Sequence, residues 1–494
     1  MTDGPGIVPG SMPGIVVVGG GLAGAAFALH LLRDHGDRPA RLTLLEPAAL
    51  PGAGLAYSTA EPTSRVNVAA TRMSLFGEAP ADFDDWLRRQ GVPARDPAAT
   101  VAGGGLFPQR AAFGRYVAER LAEAVAAAPA MAFRHRRARA TAIRRAPGGF
   151  LVTLDDGGVL PAGCVVLATG HLPPALPAPL RTLSGDARLV ADPWDMAALD
   201  RVSGTGDVLV LGTGLTGCDV VAALRRRGHA GRILALSRHG LLPRPRTPLP
   251  VGPAGDFATA PATGATALLR RVRAAVAAEV AAGRPWENVI AALREQAPAV
   301  WGALPLAEKR RALRHLRAWW DVHRFQSAPQ IDALLRREIA AGGVLLLAGS
   351  LLEARPEADG IHLLLRPRGA PAAAAAIGRT VSAVVNCTGP AHGQALAANP
   401  ALRSLWEAGA ILPDPCGLGI AVDGAGRALD AAGAAQPDLL VAGPPARGTY
   451  GELMGLPQMT DQPRALARLV AQGLPGGGEG GAAGHRPAPP ARSA

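Results

Sequence analysis

One arrangement of apolar and polar positions occurs twice in the chain, about 190 residues apart. A short β-branched run leads into a glycine turn. An Ala/Leu-rich stretch with helical spacing follows, then a second apolar run ending in a polar residue. In the first copy these are IVVVG (15–19), GGGLAG (19–24), AAFALHLLRD and RLTLLEP, which ends at Glu46. In the second they are DVLVLG (207–212), GTGLTG (212–217), CDVVAALRRRG and RILALSR, which ends at Ser237 and Arg238. Continuous apolar runs of this length suit strands buried on both faces of a parallel sheet. Each copy therefore predicts a β-strand, a tight turn, an α-helix and a second parallel strand.

Between the copies, residues 140–170 predict a β-meander closing on a strand that ends at Gly170. A similar segment, SAVVNCTG, ends at Gly389. Ala/Leu/Arg periodicity over 264–345 predicts a helical insertion, too long for a plain crossover. DLLVAGPP, containing Gly443, and a helix from about Asp461 should return to the first domain. The expected fold class is α/β: two Rossmann-type domains, the first interrupted by the second. The expected boundaries are 14–175 for the first part of one domain, 200–380 for the other with its insertion, and 381–472 for the return. Residues 1–13 and the Gly/Pro-rich 473–494 are expected to be disordered.

The glycine turns gain meaning from this strand–helix context. Gly19 and Gly212 permit the tight turn. Gly21 and Gly214 let the backbone approach a pyrophosphate. Gly24 and Gly217 allow helix and strand to pack closely. Leu22 and Ala23, and Leu215 and Thr216, open the helices, whose free N–H groups and partial positive charge suit phosphates. Glu46 lies 22 residues beyond Gly24. A carboxylate there accepts from ribose hydroxyls and repels a 2′-phosphate, which fits FAD or NAD. Ser237 and Arg238 offer a hydroxyl and a guanidinium to a 2′-phosphate, so the second site is expected to take NADPH in preference to NADH.

Composition narrows the function classes. Apolar residues make up 48% of the 494 residues, enough for a large core. No run of about 18 apolar residues predicts a membrane span, and no leader pattern is present, so a cytoplasmic location is expected. The formal charge is +12, nearly all from arginine, but the arginines are dispersed and aromatics are 4%, which argues against nucleic acid. Cys164, Cys218, Cys387 and Cys416 form no C-x-x-C pair, so neither a metal site nor a redox dithiol is expected.

The chain resembles bacterial FAD-NAD(P)-binding proteins related to flavin-dependent N-hydroxylating monooxygenases. The resemblance rests on GGGLAG (19–24), GLAYST (54–59), RVNVAATRMS (65–74), ATGHLPP (168–174), LGTGLTGCDVV (211–221), ALSRHGLLP (235–243), LRHLRAWWDVHRF (313–325) and VVNCTGP (384–390). It departs from related patterns at Gly443-Pro444, where flavoproteins commonly have Gly-Asp, and in RGTYGELMGLPQM. The Baeyer–Villiger fingerprint is missing. The resemblance implies FAD in the first domain, NAD(P)H in the second, and a reduced flavin that meets O2.

On that reading the function is NADPH-dependent hydroxylation of an amino acid or small amine through a C4a-hydroperoxyflavin. The substrate could be acidic, and a homodimer is left open. A flavin reductase or dehydrogenase without oxygen insertion, and a non-catalytic FAD-binding scaffold or redox sensor, are the alternatives. Because flavin carries the difficult chemistry, few side chains are needed. Asn67 and Met73 are candidates for the flavin face, against a loop-capping asparagine and a core methionine. Tyr57 is a candidate near the ring, and His171 for an active role at the domain exit. Arg324 or His323 could grip an acidic substrate or the nucleotide, against a surface pair of Arg324 with Asp321. Glu452 and Gln458 flank the expected flavin edge.

Overall fold

The computed structural model describes residues 14–202, 204–247, 249, 251–371 and 376–475. The expected disordered segments 1–13 and 476–494 lie outside the described residues. Residues 473–475 were grouped with that tail, but Gly473 caps the last helix and Leu474 is buried, with its carbonyl near Arg38 Nη1 at 3.4 Å.

Two large sheets share one plan. In the first, strands Met131–Arg136, Ala40–Leu45, Gly14–Val18, Cys164–Leu167 and Ala435–Val441 lie side by side and parallel, with Arg427–Leu429 antiparallel at the edge. In the second, Val344–Glu357, Ile233–Ser237, Val208–Leu211, Ala383–Asn386 and Leu189–Val190 take the same places, extended by the antiparallel strands Gly360–Pro367 and Ile377–Val381. The two strands that precede glycine turns are central. Val17 pairs with Leu44 and Val166, and Val210 pairs with Ala235 and Val385. Burial on both faces explains why these strands read as unbroken apolar runs. A separate three-stranded meander covers 140–162.

The return to the first domain comes later than the expected residue 381. Strand Ala383–Asn386 hydrogen-bonds to Val208–Leu211 and belongs to the second sheet. Its run of four buried residues completes the parallel core there, so the chain crosses back beyond Asn386. The two crossings run side by side, joined by an antiparallel bridge between Pro174 and Pro390.

Helix Leu22–His35 is buried from Leu22 through Leu32, because it lies between the first sheet and helices Arg110–Ala126 and Gln458–Gln472. The domains meet through ion pairs on helix Leu215–Arg226. Arg110 reaches Asp219 at 2.7 Å, and Glu61 receives Arg226 at 2.7 Å and also Arg227. Five helices, from Ala265–Ala281 to Arg317–Arg324, form the insertion around a small core that includes Phe257, Val289, Leu293 and Val300. Among the described residues, no helix is long and apolar enough to cross a membrane.

Candidate functional site

The two glycine turns are near copies in backbone geometry. Gly21 caps its helix at φ −68°, ψ −167°, and Gly214 at φ −75°, ψ −171°. Gly19 and Gly212 have φ of +106° and +110°, a region L-residues avoid. A Cβ on Gly19 would lie 2.3 Å from the Ala168 carbonyl oxygen, and one on Gly212 would lie 2.2 Å from that of Cys387. Gly24 and Gly217 are excluded from bearing a side chain by the carbonyls of Gly19 and Gly212, at 1.9 and 2.1 Å. The second glycines differ. A Cβ on Gly214 would meet open space, whereas Gly21 is approached by Gly54 Cα at 3.3 Å. The loop at 52–57 thus closes over the first turn.

Glu46 lies where the motif requires. Its Oε2 accepts from the Gly20 amide at 3.1 Å and its Oε1 from Ala48 at 3.0 Å. Each oxygen keeps a lone pair for a ribose hydroxyl. Gly20 has its own reason to be glycine, since a Cβ would lie 2.4 Å from Glu46 Cβ. Gly443, on the return segment, packs against the helix opening: a Cβ there would lie 2.7 Å from Ala23 Cβ. These residues fit an FAD ribose and pyrophosphate. Gly170 and Gly389, at φ +69° and +86°, turn the chain out of the two sheets.

At the second cradle the hydroxyl of Ser237 is already engaged. Because the Thr213 proton goes to the Leu241 carbonyl, Ser237 Oγ donates to Thr213 Oγ1 at 2.7 Å, and it accepts from the Gly240 amide at 3.1 Å. Arg238 is exposed beside Arg368, whose Nη1 donates to the Arg238 carbonyl at 3.3 Å and contacts His239. Arg368 follows the antiparallel strand Gly360–Pro367, so no motif around the glycine turn announces it.

The remaining expected residues separate into two groups. Met73 is 4% exposed and packs in the main core, so it has no free face for a ring. Tyr57 packs on Phe113 with centroids 4.7 Å apart. Burial and the Arg447 charge lower the His171 pKa to about 4, which keeps it neutral.

Asn67, Arg324, Glu452 and Gln458 converge. Asn67 Nδ2 donates to the Gln326 carbonyl at 3.0 Å, and Arg246 Nε donates to the Asn67 carbonyl at 2.6 Å. Arg324 does not pair with Asp321. Its Nη2 and Nε reach Glu452 Oε1 at 2.7 and 3.1 Å, both side chains being buried, because the helix end points it inward at the return segment. The exposed pair is Arg317 with Asp321, at 3.5 Å. Arg294 Nη2 holds Gln458 Oε1 at 2.9 Å and the Leu456 carbonyl at 2.7 Å. Four guanidinium groups thus gather with few carboxylates. Burial, then neighbouring arginines, pushes Arg246 and Arg294 down to about 9. Burial and Arg317 lower Arg447 to about 10. All remain charged at neutral pH.

A cavity of about 1370 Å³ opens beside this cluster. Arg246, Arg447 and Glu452 line its polar end, and the insertion helices supply most of the rest. Glu452 Oε2 has no hydrogen-bond partner among the described residues.

Residues 16–172 match the family model described as FAD-NAD(P)-binding. The first domain is a FAD-NAD(P)-binding domain. Three solved structures align over nearly the whole chain. Ornithine hydroxylase PvdA from Pseudomonas aeruginosa, in reduced form, is 15% identical, with 94% of this chain and 99% of that one covered at a TM-score of 0.61. Ornithine N-hydroxylase KtzI from Kutzneria sp. 744, in its FADred–NADP+–L-orn form, is 17% identical, with 94% and 100% covered at 0.60. L-Lysine 6-monooxygenase from Pseudomonas syringae is 17% identical, with 94% and 99% covered at 0.60. This domain chain therefore has the two-dinucleotide-domain fold of those flavoprotein monooxygenases. No curated protein sequence matches it.

Proposed function

We propose that this protein is an FAD-dependent, NADPH-using monooxygenase that hydroxylates the amino group of an amino acid or small amine. The balanced reaction is R–NH2 + O2 + NADPH + H+ → R–NHOH + NADP+ + H2O. The observation that carries it is the pairing of unlike cradles, one ending at Glu46 and one at Arg238 and Arg368, with an arginine-rich cavity end on the side of Asn67. The full-length likeness to ornithine and lysine hydroxylases supports the same reading.

FAD, held by the 19–24 turn and Glu46, would supply the activation of O2. The chain's own part is binding and proton control. Glu452 Oε2 accepts a hydrogen bond from the substrate amine. The charges of Arg246, Arg294, Arg324 and Arg447 disfavour a further cation there, so they lower the pKa of a bound ammonium and favour the nucleophilic amine. The insertion helices and the return segment exclude water from that end of the cavity. A dithiol route is disfavoured by the thiols themselves: Cys218 and Cys387 are buried, and burial raises their pKa.

The test is a screen of amines with FAD-loaded protein, following NADPH and O2 consumption and reading hydroxylamine by mass. An amine that raises NADPH turnover and gains one oxygen atom supports the proposal. Turnover with a quinone or dye and with no amine identifies a flavin reductase instead.

A further inference from the structure

The cavity is much larger, and far more apolar, than a free ornithine or lysine requires. Its volume of about 1370 Å³ exceeds the roughly 300–1,000 Å³ usual for small-molecule pockets. Its long wall is helix Ala265–Ala281, in which only Ala265 and Glu279 are buried. Leu268, Leu269, Val272, Val276 and Val280 of that helix line the cavity. Their spacing is that of a core-facing stripe, and although Leu268, Val272 and Val276 touch the small insertion core, none of the five is fully buried and all border the cavity. Trp286, Trp301, Trp319 and Trp320 add aromatic surface. None of the residues of either glycine turn lines it, so this space is distinct from the dinucleotide cradles.

The polar end carries a different signal. Arg246 is bonded through Nε to the Asn67 carbonyl, and its terminal nitrogens have no hydrogen bond or ion pair among the described residues. Among the described residues, Arg447 donates only to the Met454 sulfur. Glu452, by contrast, is already matched by Arg324. Glu287 and Asp321 also line the cavity and act at a distance on Arg246 and Arg447. Seven arginines line it against three carboxylates, so the net charge is positive, and Arg244 and Arg273 extend it along the exposed rim. A buried guanidinium without a counter-ion is costly, and a ligand carboxylate would satisfy it with charge-assisted hydrogen bonds.

We infer that the substrate is an α-amino acid with a long apolar side chain, its carboxylate on Arg246 and its apolar body between helix Ala265–Ala281 and the rest of the insertion. The amine of this ligand rests on the N-hydroxylase reading above. The carboxylate and the apolar body rest on the cavity alone.

Binding to the FAD-loaded full chain is read by quenching of tryptophan fluorescence, using 2-aminohexanoic to 2-aminododecanoic acids, dodecanoate, dodecylamine and L-ornithine as probes. Affinity is expected to rise about three- to four-fold per added CH2. Arg246→Gln should weaken 2-aminododecanoate and dodecanoate at least ten-fold and leave dodecylamine within two-fold. Val276→Trp, which fills the wall without touching the polar end, should weaken only the longer chains. Affinity independent of chain length, or L-ornithine binding more tightly than 2-aminododecanoate, overturns the inference. So does equal binding by both variants and the parent. Two outcomes separate this inference from the function it extends. Tight, length-dependent binding without hydroxylamine formation sinks the N-hydroxylase reading alone. Turnover of L-ornithine with no binding of the amphipathic acids sinks this inference alone.

Discussion

Arg324 and Glu452 stand 128 positions apart in sequence and 2.7 Å apart in the fold. One comes from the last insertion helix and the other from the return segment, so their contact ties the insertion to the first domain beside the cavity. Both side chains are buried, at 4% and 2% exposure. Removing one partner of such a pair leaves the other charge buried and uncompensated. Arg324→Met is expected to destabilise the protein by about 3 kcal/mol, read from urea unfolding. Arg324→Met combined with Glu452→Met should recover much of that loss. A single variant within the error of the parent would show that the pair is not a structural tie.

Gly212, Gly214 and Gly20 predict an asymmetry between the cradles. Alanine at Gly212 forces a Cβ against the Cys387 carbonyl and demands a positive φ, so the fold itself should suffer, by about 1–3 kcal/mol. Alanine at Gly214 meets nothing, and the folded protein should tolerate it with little change in Tm. Its methyl instead occupies the space expected for the pyrophosphate. Gly214→Ala should therefore raise the Kd for NADPH about ten-fold or more while flavin content is unchanged. Loss of flavin together with NADPH would place both nucleotides in one site. In the first domain, Gly20→Ala should lower flavin content, because it displaces the Glu46 side chain.

These cradles were the most legible part of the sequence, and the reason is local. The strand, turn, helix and strand-end acid lie within about 30 residues, and each glycine answers to its near neighbours. The sites that escaped depend on distant contacts. Arg368 reaches Arg238 from 130 positions away, and Arg246 reaches Asn67 from 179. Spacing carries no trace of either. Arg324 was singled out from its helix for an acidic substrate or the nucleotide, with a surface pair to the neighbour Asp321 as the alternative, and neither reading named Glu452 as its partner. Helical spacing alone does not reveal that the side chain points inward. Met73 fell among motif residues, yet packing with the core sets its place. Strand Ala383–Asn386 was assigned to the wrong sheet because an apolar run shows that a strand is buried and not which sheet buries it.

The domain junction should respond to acid with two opposite signs. Burial alone would raise the pKa of Glu61, but Arg226, Arg227 and Thr63 outweigh it and hold it at about 2. That lies below the unfolded value of about 4.3, so Glu61 stabilises the fold above that pH, and the contribution is lost as pH falls towards 2. Asp219 is raised to about 6 by burial, against the pull of Arg110. Its contribution is present below about pH 4 and fades as pH rises through 6. Glu61→Gln should cost about 2 kcal/mol at pH 7 and flatten the acid limb of the urea midpoint against pH. Asp219→Asn should remove the slope between about pH 4 and 6. Profiles unchanged by either variant would mean that the junction opens before these groups titrate.

Nucleotide choice rests on Arg238 and Arg368. Arg238 follows strand Ile233–Ser237 and Arg368 follows strand Gly360–Pro367, with Val344–Glu357 between them in the sheet, and neither guanidinium forms an ion pair among the described residues. Burial, followed by these two charges, also lowers the pKa of His239. A 2′-phosphate would relieve the crowding of positive charge, whereas a bare ribose would leave it. Ser237 contributes less, because its hydroxyl is held by Thr213 and Gly240. Arg238→Ala and Arg368→Ala are each expected to raise the KM for NADPH about ten-fold, which is roughly 1.4 kcal/mol, and to leave the KM for NADH within two-fold. The double variant should lose about a hundred-fold if the arginines act independently, and more NaCl should weaken NADPH binding to the parent far more than to the double variant. Ser237→Ala should shift the preference by less than either arginine. A parent enzyme that prefers NADH, or arginine variants that affect both nucleotides equally, would move the 2′-phosphate contact away from this strand end.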